Sequence, residues 1–399
     1  MASFTKIPAN NKQGYKWRCV MEGPPDPLTG QRQQVARVRE TKSGAKNAAQ
    51  TVIDKMSGGM NTKRAKKMKF SEVVEEWLHS YSKSGVKAST LRIRKFETQI
   101  LNTYMSGATI DKPTKSSYQK FLNDLDNQGY EFNTISGIHA TANMIFNWAL
   151  DEKLREDNPC KKAKIPVKQL TVEQIKQRSI SEKYLERNEI EEFLDTVKKF
   201  GFADDLELFY LFVFSGMRPG EECALQWPDI NIKTFECDVN KTIYYPRGLK
   251  GEYELTPPKN EGSIRRFDLD EFIIDMLIKM KERQLWRQKR YKQHFEDFHN
   301  GDFVFAHDNG MPYTLSFVNA RMQRIIKRTK ITKIATPHIW RHTHISMLAE
   351  AGVELKTIMK RVGHTDSKTT LKIYTHVTER MKQNSTQRVR LEFKNILEI

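Results

Sequence analysis

The sequence predicts a multidomain, mainly α-helical chain with small β-sheets, and three observations carry that expectation. An aromatic and β-branched stretch near the N-terminus is interrupted by a Pro/Gly turn, the pattern of a small sheet. Apolar residues then recur every three to four positions through residues 70–155, the period of helices. Beyond residue 180, helical patterns enclose short strand-like runs between residues 239 and 269, the mixture expected of an α+β domain. A chain of 399 residues has room for roughly two to four domains, each able to bury a core.

Gly14 to Met21 reads as a strand, Asp26-Pro27-Leu28-Thr29-Gly30 as a turn and Gln31 to Arg39 as the returning strand. Ala45 to Met56 has helical spacing, so residues 1–60 are expected to form a three-stranded sheet with a helix. Gly58-Gly59 and the basic run Lys63-Arg64-Ala65-Lys66-Lys67 place a flexible linker at 61–69. A helical module is expected over 70–158. Its first helix carries Phe70, Val73, Val74, Trp77, Leu78 and Tyr81, and its second is capped at Ser89. The third starts at Pro113, the fourth at Thr134, and Asn158-Pro159 ends the module. A basic connector spans 159–180. The larger domain, 181–380, opens with helices Glu189 to Phe200 and Asp205 to Phe214. Strands follow at Val239 to Tyr245, Tyr253 to Thr256 and Ser263 to Leu269, with Lys259-Asn260-Glu261-Gly262 as a hairpin turn between the last two. Residues 381–399 form a C-terminal segment.

Of a net charge of +18, +11 lies in residues 1–69, where fifteen Lys and Arg face four Asp and Glu. A polyanion is the natural partner, because each neutralised phosphate releases counterions. An anionic membrane surface would call for an amphipathic helix with aromatics on one face, which this segment lacks, and a solvated basic tail is the plain alternative. There is no apolar run of membrane-spanning length and no apolar signal stretch after Met1, so a cytoplasmic protein is expected. Cys19, Cys160, Cys223 and Cys237 are widely spaced and read as ordinary reduced thiols.

Three clusters carry chemistry. In Ser215-Gly216-Met217-Arg218-Pro219-Gly220-Glu221, Pro219 suits a first helical turn, which puts Arg218 at a helix start with a planar fork that matches two phosphate oxygens. In Thr336-Pro337-His338-Ile339-Trp340-Arg341-His342, His338 and Arg341 share a helical face. His338 and His342 have the spacing of a zinc helix, but Ile339 occupies the general-base position and no third ligand is evident, so no metal and no cofactor are expected. Gly363 ends a helix over Leu355 to Val362, His364 follows, and Ser367 caps a short helix carrying Leu371, Ile373 and Tyr374. Each residue alone is unremarkable. Together they stand in one order in one domain.

Arg218, Lys259, His338-x-x-Arg341, Gly363-His364 and Tyr374 in that order resemble the tyrosine recombinases, with phage and mobile-element integrases closest. The resemblance covers essentially the whole chain, more loosely at the N-terminus. It implies an arm-type DNA-binding domain at 1–60, a helical core-binding domain at 70–158 and a catalytic domain of the tyrosine recombinase type at 181–380. It also implies that Tyr374 attacks a DNA phosphate to leave a 3′-phosphotyrosyl link and a free 5′-hydroxyl. Arg218, Arg341 and His364 would then hold the non-bridging oxygens, Lys259 protonate the leaving oxygen and His338 manage the tyrosine proton, with Glu221 bracing Arg218 or His338. The implied partners are double-stranded attachment sites and a homotetramer on DNA. A directionality factor and a DNA-bending host protein are further candidates. Val389, Phe393, Ile396 and Leu397 form a stripe that would dock on a neighbour or pack on its own subunit. Lys16, Arg18, Lys63, Arg64, Lys66, Lys67, Arg92 and Arg94 are the expected DNA contacts. A type I B topoisomerase shares this chemistry but needs no accessory arm module. A catalytically dead DNA-binding regulator would not keep a suitable residue at every catalytic position.

Overall fold

The computed structural model describes residues 2–11, 13–26, 29–57, 62–167, 171, 180–246, 252–258, 261–364 and 367–397. The chain is mainly helical with small antiparallel sheets, and it divides into two compact units, residues 1–169 and 170–399.

In the first unit, strands β1 (Ala2–Pro8), β2 (Tyr15–Glu22) and β3 (Gln34–Arg39) pair antiparallel in the order β1-β2-β3, and helix α1 (Lys42–Ser57) covers one face. Cys19, Val35, Ala45 and Ala49 form its small core, with Phe4, Trp17 and Met21 packed against it. The third strand, which the sequence reading leaves unlocated, is β1. Its side chains are only half-buried or exposed, so its alternation is faint. Successive residues of a strand point to opposite faces. Lys16 and Arg18 therefore lie on the face away from α1.

A four-helix bundle follows, made of α3 (Phe70–Ser82), α4 (Ala88–Met105), α5 (Lys115–Asn127) and α6 (Phe132–Asp151). Phe70, Val73, Val74 and Trp77 of α3 meet Tyr118, Phe121 and Leu122 of α5 and Ile138, Ile145 and Phe146 of α6 in one core. Thr114 caps α5 by accepting from the Ser117 amide at 3.2 Å, while α4 and α6 begin one or two residues before the expected Ser89 and Thr134. The expected flexible linker at 61–69 is corrected. Short helix α2 (Thr62–Ala65) forms there, Ala65 and Met68 are buried in the bundle core, and Arg64 pairs with Glu76 at 2.7 Å. Two apolar residues among lysines were masked by the charge run. Packing also runs past residue 158, because Cys160 is buried in the same core.

The second unit contains α7 (Arg187–Phe200), α8 (Asp205–Ser215), α9 (Pro219–Cys223), α10 (Glu271–Tyr291), α11 (Leu315–Ile326), α12 (Ile339–Glu350), α13 (Leu355–Val362) and α14 (Lys368–Leu397). Its main core gathers Phe193, Phe209, Phe212 and Trp340 around edge-to-face aromatic contacts. The strands depart from expectation. β4 (Ile230–Asn231), β5 (Glu236–Val239) and β8 (Arg265–Asp268) form one sheet, and β6 (Thr242–Tyr244) pairs with β7 (Glu254–Thr256) in another. The strands on either side of the expected turn Lys259-Asn260-Glu261-Gly262, β7 and β8, therefore lie in different sheets and do not pair as a hairpin, while Lys259 and Asn260 themselves lie outside the described residues. Local turn residues cannot reveal that β8 finds its partner β5 some thirty residues upstream. The expected short helix after Ser367 is instead the 30-residue α14. It carries Val389, Phe393, Ile396 and Leu397, whose side chains lie outside the described part.

Among the described residues, no helix is long and apolar enough to cross a membrane.

Candidate active site

Two glycines make the site possible. Gly216 ends α8 at φ 62°, and a Cβ there would lie 2.6 Å from the His344 ring. Gly363 ends α13 at φ 66°, with Ser263 Cα 3.1 Å from where its Cβ would be. Only glycine combines positive φ with such close approach. Both carbonyls are thereby free to receive guanidinium groups.

Arg218 stands just before α9, where Glu221 Oε2 accepts from its amide at 2.9 Å. Its Nη1 donates to Glu221 Oε1 at 2.7 Å and Ser263 Oγ at 3.4 Å, and its Nη2 donates to the Gly363 carbonyl at 3.3 Å. The side chain remains 31% exposed, so the fork still has an open side. Arg341, on the first turn of α12, is fully buried. It donates from Nε to His364 Nε2 at 3.1 Å, from Nη1 to the Gly216 carbonyl at 3.0 Å and from Nη2 to the Val362 carbonyl. Burial and then the Arg218 charge press its pKa downward, but a guanidinium held by three acceptors stays protonated at working pH. Three of its five N–H groups are committed, leaving two.

His338 precedes α12 and sits edge-on to His342, ring centroids 5.0 Å apart. Its surface stays open to solvent, yet surrounding protein and then the Arg341 and Arg218 charges lower its pKa. It is therefore neutral near pH 7 and able to accept a proton. No group of three His, Cys, Asp or Glu placed to hold a metal occurs among the described residues. His364 is neutral too, its pKa pushed down to about 3 by burial and then by Arg341 and Arg218. Tyr374 lies in the second turn of α14, half-buried against the cluster of Tyr184, Ile345, Ile358, Val362 and Val377. Its hydroxyl has no hydrogen bond to a described residue. Lys259 lies outside the described residues, four positions before Ser263.

The structure thus brings Arg218, Glu221, Arg341 and His364 into one hydrogen-bonded network, with His338 within their electrostatic reach. Glu221 braces Arg218; no bond from it to His338 is found. Sequence reading missed Arg265, the other buried partner of Glu221. Its Nη2 donates to Glu221 Oε2 at 2.9 Å, its Nε to the Arg361 carbonyl at 2.8 Å and its Nη1 to the Ser263 carbonyl at 3.0 Å. Burial alone would raise the Glu221 pKa, but Arg265 and then Arg218 outweigh it and hold the carboxyl below the usual range. The only available signal was an arginine in an otherwise inward-facing strand position, next to exposed Arg266.

Glu222 has the opposite environment. It is fully buried, neither oxygen has a hydrogen-bond partner among the described residues, and burial raises its pKa well above the carboxylate range. Glu222→Met is expected to stabilise the fold at pH 7 by about 1–3 kcal/mol, since an unpaired buried polar group is removed. The gain should shrink as pH falls towards the unfolded carboxyl pKa near ~4.3, where both states hold the proton. Urea unfolding at pH 7 and pH 4.5 checks it.

The expected DNA contacts fare unevenly. Arg18, Lys66, Lys67 and Arg92 are exposed, and Lys16 is half-buried. The Lys63 side chain lies outside the described part. Arg94 is corrected to an internal role. It is drawn into the bundle by Glu97 at 2.8 Å and Thr141 Oγ1 at 2.8 Å, a pairing across 47 residues that local spacing cannot show.

Residues 183–381 match the phage integrase family. The prophage ps2 probable integrase of Lactococcus lactis subsp. lactis (strain IL1403) is 32% identical over 369 residues, covering 90% of this chain and 93% of its own. The chain belongs to the phage integrase family. It is accordingly a site-specific tyrosine recombinase, a DNA strand transferase. This recombinase is also 29% identical to the integrase of Staphylococcus phage L54a, over 84% of the chain and 97% of that protein. Its fold is like that of the Tn1549 transposon integrase in complex with transposon right end DNA, with TM-score 0.61 and 19% identity over 80% of the chain and 99% of that one. A lambda integrase dimer bound to a COC′ core site gives TM-score 0.57 and 17% identity over 91% and 93% of the two chains.

Proposed function

We propose that this recombinase cuts and rejoins attachment-site DNA through Tyr374, integrating and excising the mobile element that encodes it. The phenolic oxygen attacks phosphorus, the bond to the 5′-oxygen breaks and a 3′-phosphotyrosyl link forms. That link keeps the phosphodiester energy, so rejoining needs no nucleotide. A tyrosine of pKa near ~10 is a weak nucleophile at neutral pH. Neutral His338 takes its proton, and Lys259 returns one to the leaving 5′-oxygen. Arg218 and Arg341 hold the non-bridging oxygens, where charge grows in the transition state. These fixed cations do the work that metal ions do in other phosphoryl-transfer sites.

The observation that carries this reading is the network of Arg218, Glu221, Arg341 and His364, which gathers two guanidiniums from distant segments beside the helix of Tyr374. The domain roles proposed are arm-site recognition by 1–60, core-site binding by 70–158 and catalysis by 181–380. The exposed Arg18 face of the N-terminal sheet is suited to phosphates and base edges. Work on DNA in the bacterial cytoplasm as a homotetramer is part of the same proposal, supported by the likeness of fold to a lambda integrase tetramer bound to a Holliday junction. A directionality factor and a DNA-bending host protein are its proposed helpers.

The test is a nicked suicide duplex spanning the junction of the encoding element. The chain should form a covalent adduct in EDTA, and mass spectrometry of the digested adduct should find the nucleotide on Tyr374. A modified residue elsewhere, or loss of the adduct on chelation with the fold intact, overturns the proposal.

A further inference from the structure

Thr370 is fully buried, and its Oγ1 lies 2.6 Å from Nδ1 of His364. Arg341 meets the same ring from the other side, its Nε donating to His364 Nε2 at 3.1 Å. A guanidinium can only donate, so Nε2 is the acceptor and the single proton of the neutral ring sits on Nδ1. That proton is given to Thr370 Oγ1. In this arrangement the ring has no Nε2 proton to offer a phosphate. A threonine hydroxyl, unlike a carbonyl or an amide, can either accept from Nδ1 or donate to it. Thr370 also stands four residues before Tyr374 on α14, on the same helical face. The bond to His364 therefore anchors the nucleophile's helix to the segment that carries the phosphate pocket.

We propose that Thr370 is a positioning residue that selects the tautomer of His364. Without DNA it accepts from Nδ1–H while Arg341 occupies Nε2. When the scissile phosphate draws Arg341 Nε away, the threonine hydroxyl donates to Nδ1. The ring releases its Nδ1 proton to water and takes one on Nε2, where it hydrogen-bonds a non-bridging oxygen. The ring charge is unchanged throughout. The inference rests on the assignment of Tyr374 as nucleophile and of the arginine network as phosphate pocket.

The experiment uses the full chain with ¹⁵N-labelled histidine and the nicked junction duplex. Imidazole ¹⁵N shifts should report His364 as the Nδ1–H tautomer without DNA and as Nε2–H in the complex. Thr370→Val should slow single-turnover cleavage about 10- to 100-fold at saturating DNA, since misplacement of an assisting group has that cost, while DNA affinity stays within about 3-fold. Thr370→Ser, which restores the hydroxyl, should recover the rate to within about 3-fold. Tyr374→Phe runs in parallel. If it forms no adduct while Thr370→Val cleaves at the wild-type rate, the tautomer role is wrong and the nucleophile assignment survives. If Tyr374→Phe still forms the adduct, the underlying reading fails first. An Nε2–H ring without DNA, or a serine variant as slow as valine, also overturns the role. Melting temperature of each variant separates loss of fold from loss of positioning.

Discussion

Tyr374→Phe is expected to abolish covalent adduct formation and to lower strand cleavage by at least about four orders of magnitude, since removing a nucleophile has costs of that size. The substitution removes one oxygen and leaves the ring. The ring packs against the cluster that contains Tyr184, Ile345 and Val362, whereas the hydroxyl bonds to no described residue, so little of the fold depends on it. Stability should change by less than about 0.5 kcal/mol, and non-covalent DNA binding should persist in a gel-shift assay. Tyr313 offers no rescue. It is 5% exposed, and burial followed by the Asp204 charge raises its pKa far above that of a free phenol. A denaturing gel of the nicked substrate reads the result directly. A persistent adduct in the phenylalanine variant would move the nucleophile to another residue.

Mild acid should destabilise the C-terminal unit steeply. His344 is buried behind Gly216, with Nδ1 at 2.9 Å from the Val213 carbonyl and Nε2 accepting from Arg361 Nε at 3.2 Å. Burial, then the Arg361 charge, brings its pKa down to about 3, with Arg341 and Arg265 acting in the same direction. The unfolded chain binds that proton near pH ~6.5 and the folded one does not. Stability is therefore full above pH ~6.5 and falls by about 1.4 kcal/mol per pH unit as pH drops towards 3. By pH 4.5 this one histidine costs about 2–3 kcal/mol, a large fraction of the ~5–15 kcal/mol typical of a domain. His364, with its pKa near 3, and His342, near 4, add smaller amounts of the same sign because they are more solvated. Buried Glu222 and Asp205 oppose them, since their raised pKa values favour proton uptake on folding. Urea titrations in a Glu222→Met background, from pH 7.5 to 4.5, remove the stronger opponent. A midpoint that stays level between pH 7 and pH 5 would contradict the account.

The order of motifs located the residues that the geometry brings together, because each sits at a helix end marked by its own punctuation. Pro219 follows Arg218, Pro337 precedes His338 and Gly363 precedes His364. The residues that hold this set in place left no such mark. Arg265 reaches Glu221 across 44 positions, and Ser263 reaches Gly363 across 100. Nothing in the local sequence around Thr370 marks its bond to His364. The helices were legible from the spacing of Phe70, Val73, Val74 and Trp77 and of similar runs, since burial of one face imposes a period. Strand pairing was not. β7 joins β6 and β8 joins β5 through long-range hydrogen bonds, whereas turn residues report only nearest neighbours. The basic run at 63–67 misled in the same way, because its charges concealed Ala65 and Met68 within a core.

Thirty residues of unbroken helix make α14 a rod of about 45 Å with the phenol near its root. No joint separates the nucleophile from residue 397, so a grip anywhere along the rod is a grip on the reacting oxygen. Torque at the distal end arrives at Tyr374 as rotation about the helix axis and is resisted at the base by the Thr370 tether to His364.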